Sequence, residues 1–148
     1  MDDTFDLERF VSAQNPVLEN VRAELRRGCK ASHWMWFVFP QLKGLGGSWM
    51  AEKFGISSRA EAEAYLAHPI LGDRLLECTG LVNRVEGRSI EQIFGGVDSM
   101  KFRSCVTLFA EVANGKHVFA DALQKYFAGV ADPLTLKRLL NSAASAKG

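Results

Sequence analysis

The sequence predicts an all-α protein: a single compact domain of about eight helices around a buried central helix at residues 98–113. Three observations predict it. Residues that cap helices recur roughly every ten to twenty positions, and the apolar residues between them step at three and four. No stretch alternates apolar and polar residues around a two-residue turn, so no hairpin is expected. At 148 residues the chain is long enough to bury a substantial core, and 47% hydrophobic with 24% charged residues is ordinary for a globular protein.

Thr4 or Asp6 can cap a first helix that buries Leu7, Phe10 and Val11. Asn15-Pro16 reads as the cap and first residue of a second helix, whose stripe of Val17, Leu18, Val21 and Leu25 is stopped by Gly28. The run from Trp34 to Phe39 has strand-like composition but no candidate partner strand. We assign a short helix capped by Ser32 and ended by Pro40. Ser48 begins another after a glycine-rich loop at residues 43–47. Ser58 with Glu61 and Ser89 with Gln92 read as capping boxes. Between them, Leu71, Leu75, Cys78, Val82 and Val85 form an amphipathic stripe.

Asp98 caps the helix placed at the centre, because Met100, Phe102, Cys105, Val106, Leu108, Phe109 and Val112 make it apolar almost all round. Phe119, Leu123, Tyr126 and Phe127 stripe the next helix. Asp132-Pro133 opens the last, which carries Leu136, Leu139, Leu140 and Ala143. No linker, repeat or low-complexity segment divides residues 1–148; residues 1–3 and 142–148 are expected to fray.

A net charge of +1 gives no drive toward nucleic acid or an anionic membrane, and no apolar run reaches transmembrane length. Cys29, Cys78 and Cys105 are odd in number and widely spaced, which fits reduced thiols in the cytoplasm. Cys29 and His33 stand four apart, but no second pair completes a metal set, so neither metal nor cofactor is expected.

The string Lys30-x-Ser32-His33-Trp34-x-Trp36-Phe37-x-Phe39-Pro40-Gln41-Leu42-x-Gly44-Leu45-Gly46-x-Ser48 resembles the signature of domain of unknown function 1810. The match continues through Glu61-Ala62-x-Ala64-Tyr65-Leu66-x-His68-Pro69, Leu71-Gly72-x-Arg74-Leu75, Ile93-Phe94-Gly95, Asp98-x-x-Lys101, Ser104-x-x-Thr107-Leu108-Phe109 and Asp132-x-x-Thr135-Leu136. The resemblance implies a compact all-helical protein and no established activity. Some members carry the label calpastatin, and nothing here resembles a disordered protease-inhibitor repeat. Phe54 stands where tyrosine is commoner in the family. A fainter likeness, through the Lys101-Phe102 step, is to a helical family associated with NAD and ADP-ribose.

Candidate chemistry concentrates around the aromatic run, and each candidate has a plainer structural alternative. Trp34, Trp36 and Trp49 could form a stacking platform for a base; Trp36 reads rather as core, and Trp34 as stacking face or core. His33 is a candidate acid or base, or a structural donor. Gly44, Gly46 and Ser48 could cradle a phosphate on backbone N–H groups, with Gln41 beside them, or simply turn the chain between helices. Arg74 clamps an anion or ties two helices. Asp98 and Lys101, placed at a cap and first turn, are candidates for proton transfer.

Three function classes follow in order. The first is binding or processing of a nucleotide-like anionic ligand of the ADP-ribose or NAD type, at Trp34, Gln41, Gly44, Gly46, Ser48 and Arg74, with His33, Asp98 and Lys101 for any chemistry. The second is a non-enzymatic protein-interaction module, marked by an exposed apolar patch. Nucleic-acid binding comes last, because the charge balance does not support it.

Overall fold

The computed structural model describes residues 3–113 and 115–147, the side chains of residues 142–147 excepted. Its helices run α1 Glu8–Gln14, α2 Leu18–Arg27, α3 Met35–Val38, α4 Trp49–Lys53, α5 Arg59–Ala67, α6 Leu71–Asn83, α7 Ile90–Phe94, α8 Gly96–Val112, α9 Val118–Phe127 and α10 Pro133–Lys147. The protein is all-helical, with ten helices among the described residues against the about eight expected. The described part of the ends expected to fray includes residues 142–147, which continue α10; residues 1, 2 and 148 lie outside the described residues. No helix among the described residues is long and apolar enough to cross a membrane.

Several caps lie where local chemistry places them. The Ser48 hydroxyl accepts from the Ala51 amide, the Ser89–Gln92 box closes in both directions, and Asp132 accepts from the Thr135 amide. Others were drawn away by distant partners. Asp3, not Thr4 or Asp6, accepts from the Leu7 and Glu8 amides at the start of α1. Asn15 ends α1, and its side chain accepts from Arg74; α2 begins two residues after Pro16 with no side-chain cap. At α5 the Ser58 hydroxyl caps as expected, accepting from the Glu61 amide, but the Glu61 carboxylate takes Ser57 and Arg9 rather than the Ser58 amide. Asp98 does not cap α8. That helix follows α7 directly through Gly95, which serves both ends at φ 83°, and Asp98 falls in its first turn.

At the centre lies α8, packed on α5, α7, α9 and α10, while α6 packs on α2, α5 and α9. Phe102, Cys105, Val106, Leu108 and Phe109 are all fully buried. The helix is not apolar-buried on every side, however: Met100 in its first half is 54% exposed. Aromatic rings stitch this core together. Phe39 meets Phe102 edge-on at 5.1 Å, Phe10 meets Tyr65 at 5.0 Å, and Tyr65 reaches Phe109 at 5.4 Å.

Gly72 has a packing role. A Cβ there would lie 2.1 Å from the Leu66 carbonyl oxygen, a backbone atom that cannot swing aside. Gly72→Ala is therefore expected to force α5 and α6 apart and destabilise by about 2 kcal/mol or more, measured by urea denaturation. A neutral result would show that this junction yields.

One isolated bridge matters for the site. The Lys43 amide donates to Ile56 (2.8 Å) and the Ile56 amide to Gln41 (2.9 Å), pairing Leu42 with Ile56. These bonds close the glycine loop and α4 into a tied excursion. Gly55 permits the approach, since a Cβ there would sit 2.7 Å from Lys43 Cα.

Candidate functional site

The motif around Trp34 is organised by a carboxylate from the preceding helix. Glu24 lies on the apolar stripe of α2, three residues after Val21, and is 5% exposed. Its Oε1 accepts from the Ala31 amide (2.7 Å), the Ser32 amide (3.0 Å) and the Trp34 indole (3.0 Å), while Oε2 accepts from the Ser32 hydroxyl. Burial alone would raise this carboxyl. The hydroxyl, amide and indole donors overcome it and hold the pKa at about 2. Ser32 thus serves Glu24, and α3 begins after Trp34 without a side-chain cap.

Trp34 is fully buried, so it presents no face to a ligand, and its indole N–H donates to Glu24. This removes Trp34 from the stacking platform, whereas Trp49 on α4 is 71% exposed. Lys30 covers the ring, its ammonium 5.1 Å from the centroid, and pairs with Asp98 Oδ2 at 2.9 Å. Lys101 approaches Asp98 Oδ1 at 3.6 Å and sits 4.9 Å over the ring of Trp36, which is half-buried rather than core. Asp98 therefore bridges two lysines, each lying against a tryptophan.

Lys101 reaches the mouth of a cleft of about 280 Å³ between the loop at residues 41–46, the first half of α8 and the start of α10. Gln41 and Gly46 share that cleft with it, as do Ser104 and Asp132. Asp132 is buried and accepts from the Ser104 hydroxyl (3.2 Å) and from Thr135, while its own amide donates to Thr107. Apolar walls come from Leu45, Val97, Met100 and Leu134. What the arrangement offers is one ammonium, one side-chain amide, the Ser104 hydroxyl and an apolar surface, with the Asp132 carboxylate taken up by Ser104 and Thr135.

The remaining sequence candidates fall elsewhere. Arg74 donates to Gln14 Oε1 (3.3 Å) and Asn15 Oδ1 (2.9 Å), which makes it the helix tie between α6 and α1; it does not line this cleft. The basic group beside the glycine loop is Arg138 of α10, against which a Cβ on Gly44 (φ 94°) would collide at 2.1 Å. Ser48 is occupied as the cap of the five-residue α4. His33 is exposed in the loop before α3 and lines none of the described clefts. A larger cleft, about 490 Å³, opens by Arg9, Lys43, Lys53 and Glu61 and holds none of the candidates.

Sequence reasoning missed Glu24, Lys30 and Asp132 as organisers. For Glu24 a signal existed: a charged residue on the buried stripe of an amphipathic helix demands partners. Gln14 carries the same signal on α1; it is 2% exposed and donates to the Phe37 carbonyl and the Tyr65 hydroxyl. The thiols offer no nucleophile at depth, since burial pushes Cys78 up to about 12 and Cys105 well above its ordinary value. Among the described residues no group of His, Cys, Asp and Glu side chains is placed to hold a metal ion.

Residues 4–139 match the family described as "Protein of unknown function (DUF1810)". The crystal structure of a conserved hypothetical protein from Mycobacterium tuberculosis is similar, with a TM-score of 0.92 and 56% identity over 93% of this chain and 99% of that one. Among proteins of curated function, none matches. Agreement in sequence along nearly the whole chain and in helical architecture leads to one statement: the chain belongs to the DUF1810 family of uncharacterised proteins.

Proposed function

We propose that this is a cytoplasmic protein that binds a nucleotide-like anionic ligand in the cleft between the glycine loop, α8 and α10. The observation that carries the reading is the convergence of Gln41, Gly46 and Lys101 on one concavity with apolar walls. Lys101 supplies the cation for a phosphate or carboxylate. Gln41 offers both a donor and an acceptor to a base or ribose. Leu45, Val97, Met100 and Leu134 cover a flat or aliphatic body. Asp98, ion-paired to Lys101, positions the ammonium. The reading is of binding, with Trp34 and Arg74 acting as structural supports and His33 outside the cleft.

Thermal-shift and calorimetric titrations with ADP-ribose, NAD and AMP test it. A ligand at 100 times its dissociation constant should stabilise the fold by about 2.7 kcal/mol. Lys101→Met should remove the shift, and Leu134→Asp should weaken it. No shift with any of the three overturns the nucleotide reading.

The second reading, a non-enzymatic interaction module, is favoured by the exposure of Val97 (73%), Met100 (54%) and Leu134 (62%) around the same cleft. It predicts that Leu134→Asp alters association with another protein while nucleotides leave the melting temperature unmoved.

A further inference from the structure

A second concavity, of about 280 Å³, lies between the C-terminal ends of α2 and α6, lined by Arg26, Leu81, Arg84 and Val85. Gly28, at φ 73°, lets α2 end against α6: a Cβ there would stand 3.0 Å from Val85 Cγ1. Arg88 clamps the junction, donating to the Gly28 carbonyl (2.8 Å) and the Gln92 carbonyl (2.9 Å). Leu81 and Val85 are buried and form an apolar floor.

The two arginines on this floor differ from nearly all others in the chain. Arg9, Arg22, Arg27, Arg59, Arg74, Arg88 and Arg103 each donate to a carboxylate, carbonyl or amide oxygen. Arg26 and Arg84 are exposed and have no such acceptor among the described residues. Helix capping does not occupy them either. Lys125 already takes the Asn83 and Val85 carbonyls, and Tyr126 takes that of Val82. Nearby carboxylates are engaged as well, Glu77 with Arg22 and Glu86 with Lys125.

We propose that Arg26 and Arg84 form a binding site for a phosphomonoester with an apolar body. Two guanidinium groups match the nearly dianionic charge of a phosphomonoester at neutral pH, whereas a carboxylate needs one. The ester's apolar part lies on Leu81 and Val85. This site is independent of Lys101 and of the cleft at α8.

Phenyl phosphate is the probe, titrated against the full chain with amide and arginine side-chain resonances followed by NMR. Shifts should centre on Arg26, Leu81, Arg84 and Val85, with benzoate and inorganic phosphate binding about tenfold more weakly, for want of the second charge and the apolar body respectively. Arg26→Met with Arg84→Met should lower affinity at least about tenfold. Both arginines are exposed, so the double variant should fold; an unchanged melting temperature checks this. Several results would overturn the proposal: unaltered affinity in the double variant, shifts centred elsewhere, or benzoate binding as tightly as phenyl phosphate. Tighter binding of a phosphoserine peptide than of phenyl phosphate would also overturn it, in favour of a docking surface for protein.

Discussion

Replacing Glu24 by Ala is expected to destabilise the protein by about 3–5 kcal/mol, because it strands the buried Trp34 indole N–H and takes the charged acceptor from three part-buried donors. The indole of Trp34, the amides of Ala31 and Ser32 and the Ser32 hydroxyl all converge on that one carboxylate. Glu24→Gln separates charge from geometry. The amide oxygen can still receive the N–H donors, but the bonds lose their charge assistance, so a smaller loss of about 1–3 kcal/mol is expected.

The pH dependence provides an independent check. The folded pKa of about 2 lies below the ordinary value of 4.5, so the carboxylate's contribution is present above pH 4.5 and is lost as pH falls toward 2. That displacement corresponds to at most roughly 3 kcal/mol. Denaturant titrations across this window should show a steeper fall in stability for the native chain than for Glu24→Gln. Parallel curves would mean that the carboxylate is not held as described.

Phe109→Ala should rank with the Glu24 change, costing about 3–5 kcal/mol. Phe109 is fully buried on α8, with its ring 5.4 Å from Tyr65 of α5 and 5.8 Å from Phe119 of α9. Truncation opens a cavity where three helices meet, and their mutual contacts prevent full collapse. For a chain of this size the melting temperature should drop by roughly 10 °C. Met100→Ala, on the exposed side of the same helix, should stay within about 0.5 kcal/mol. Equal losses at the two positions would contradict the sidedness of α8.

Lys30, Trp34, Asp98 and Lys101 show why the family signature is written as it is. The serine, tryptophan and lysine of the aromatic motif are bound to Glu24 and Asp98, which join the loop before α3 to α2 and α8. Much of that signature is thus a folding device. Gln41, Leu45, Gly46, Lys101, Ser104 and Asp132 are signature positions that also line the cleft beside α8.

The sequence by itself determined the helical class, the stripes of α2, α6, α8 and α9 and the caps at Ser48, Ser89 and Asp132. Each of those rests on interactions among residues a few positions apart, so periodicity and residue type suffice. Only the tertiary structure decided the fate of Asn15, Ser32, Glu61 and Asp98. All four have side chains that suit a helix start, yet each serves a partner supplied by another segment: Arg74, Glu24, Arg9 and Lys30. Local capping and a long-range charged hydrogen bond compete for the same side chain, and at these four positions the long-range partner holds it. The same reason explains Trp34 and Arg74. Their chemistry suits a ligand, but in the folded chain Glu24 and the α1 amides Gln14 and Asn15 receive their donors.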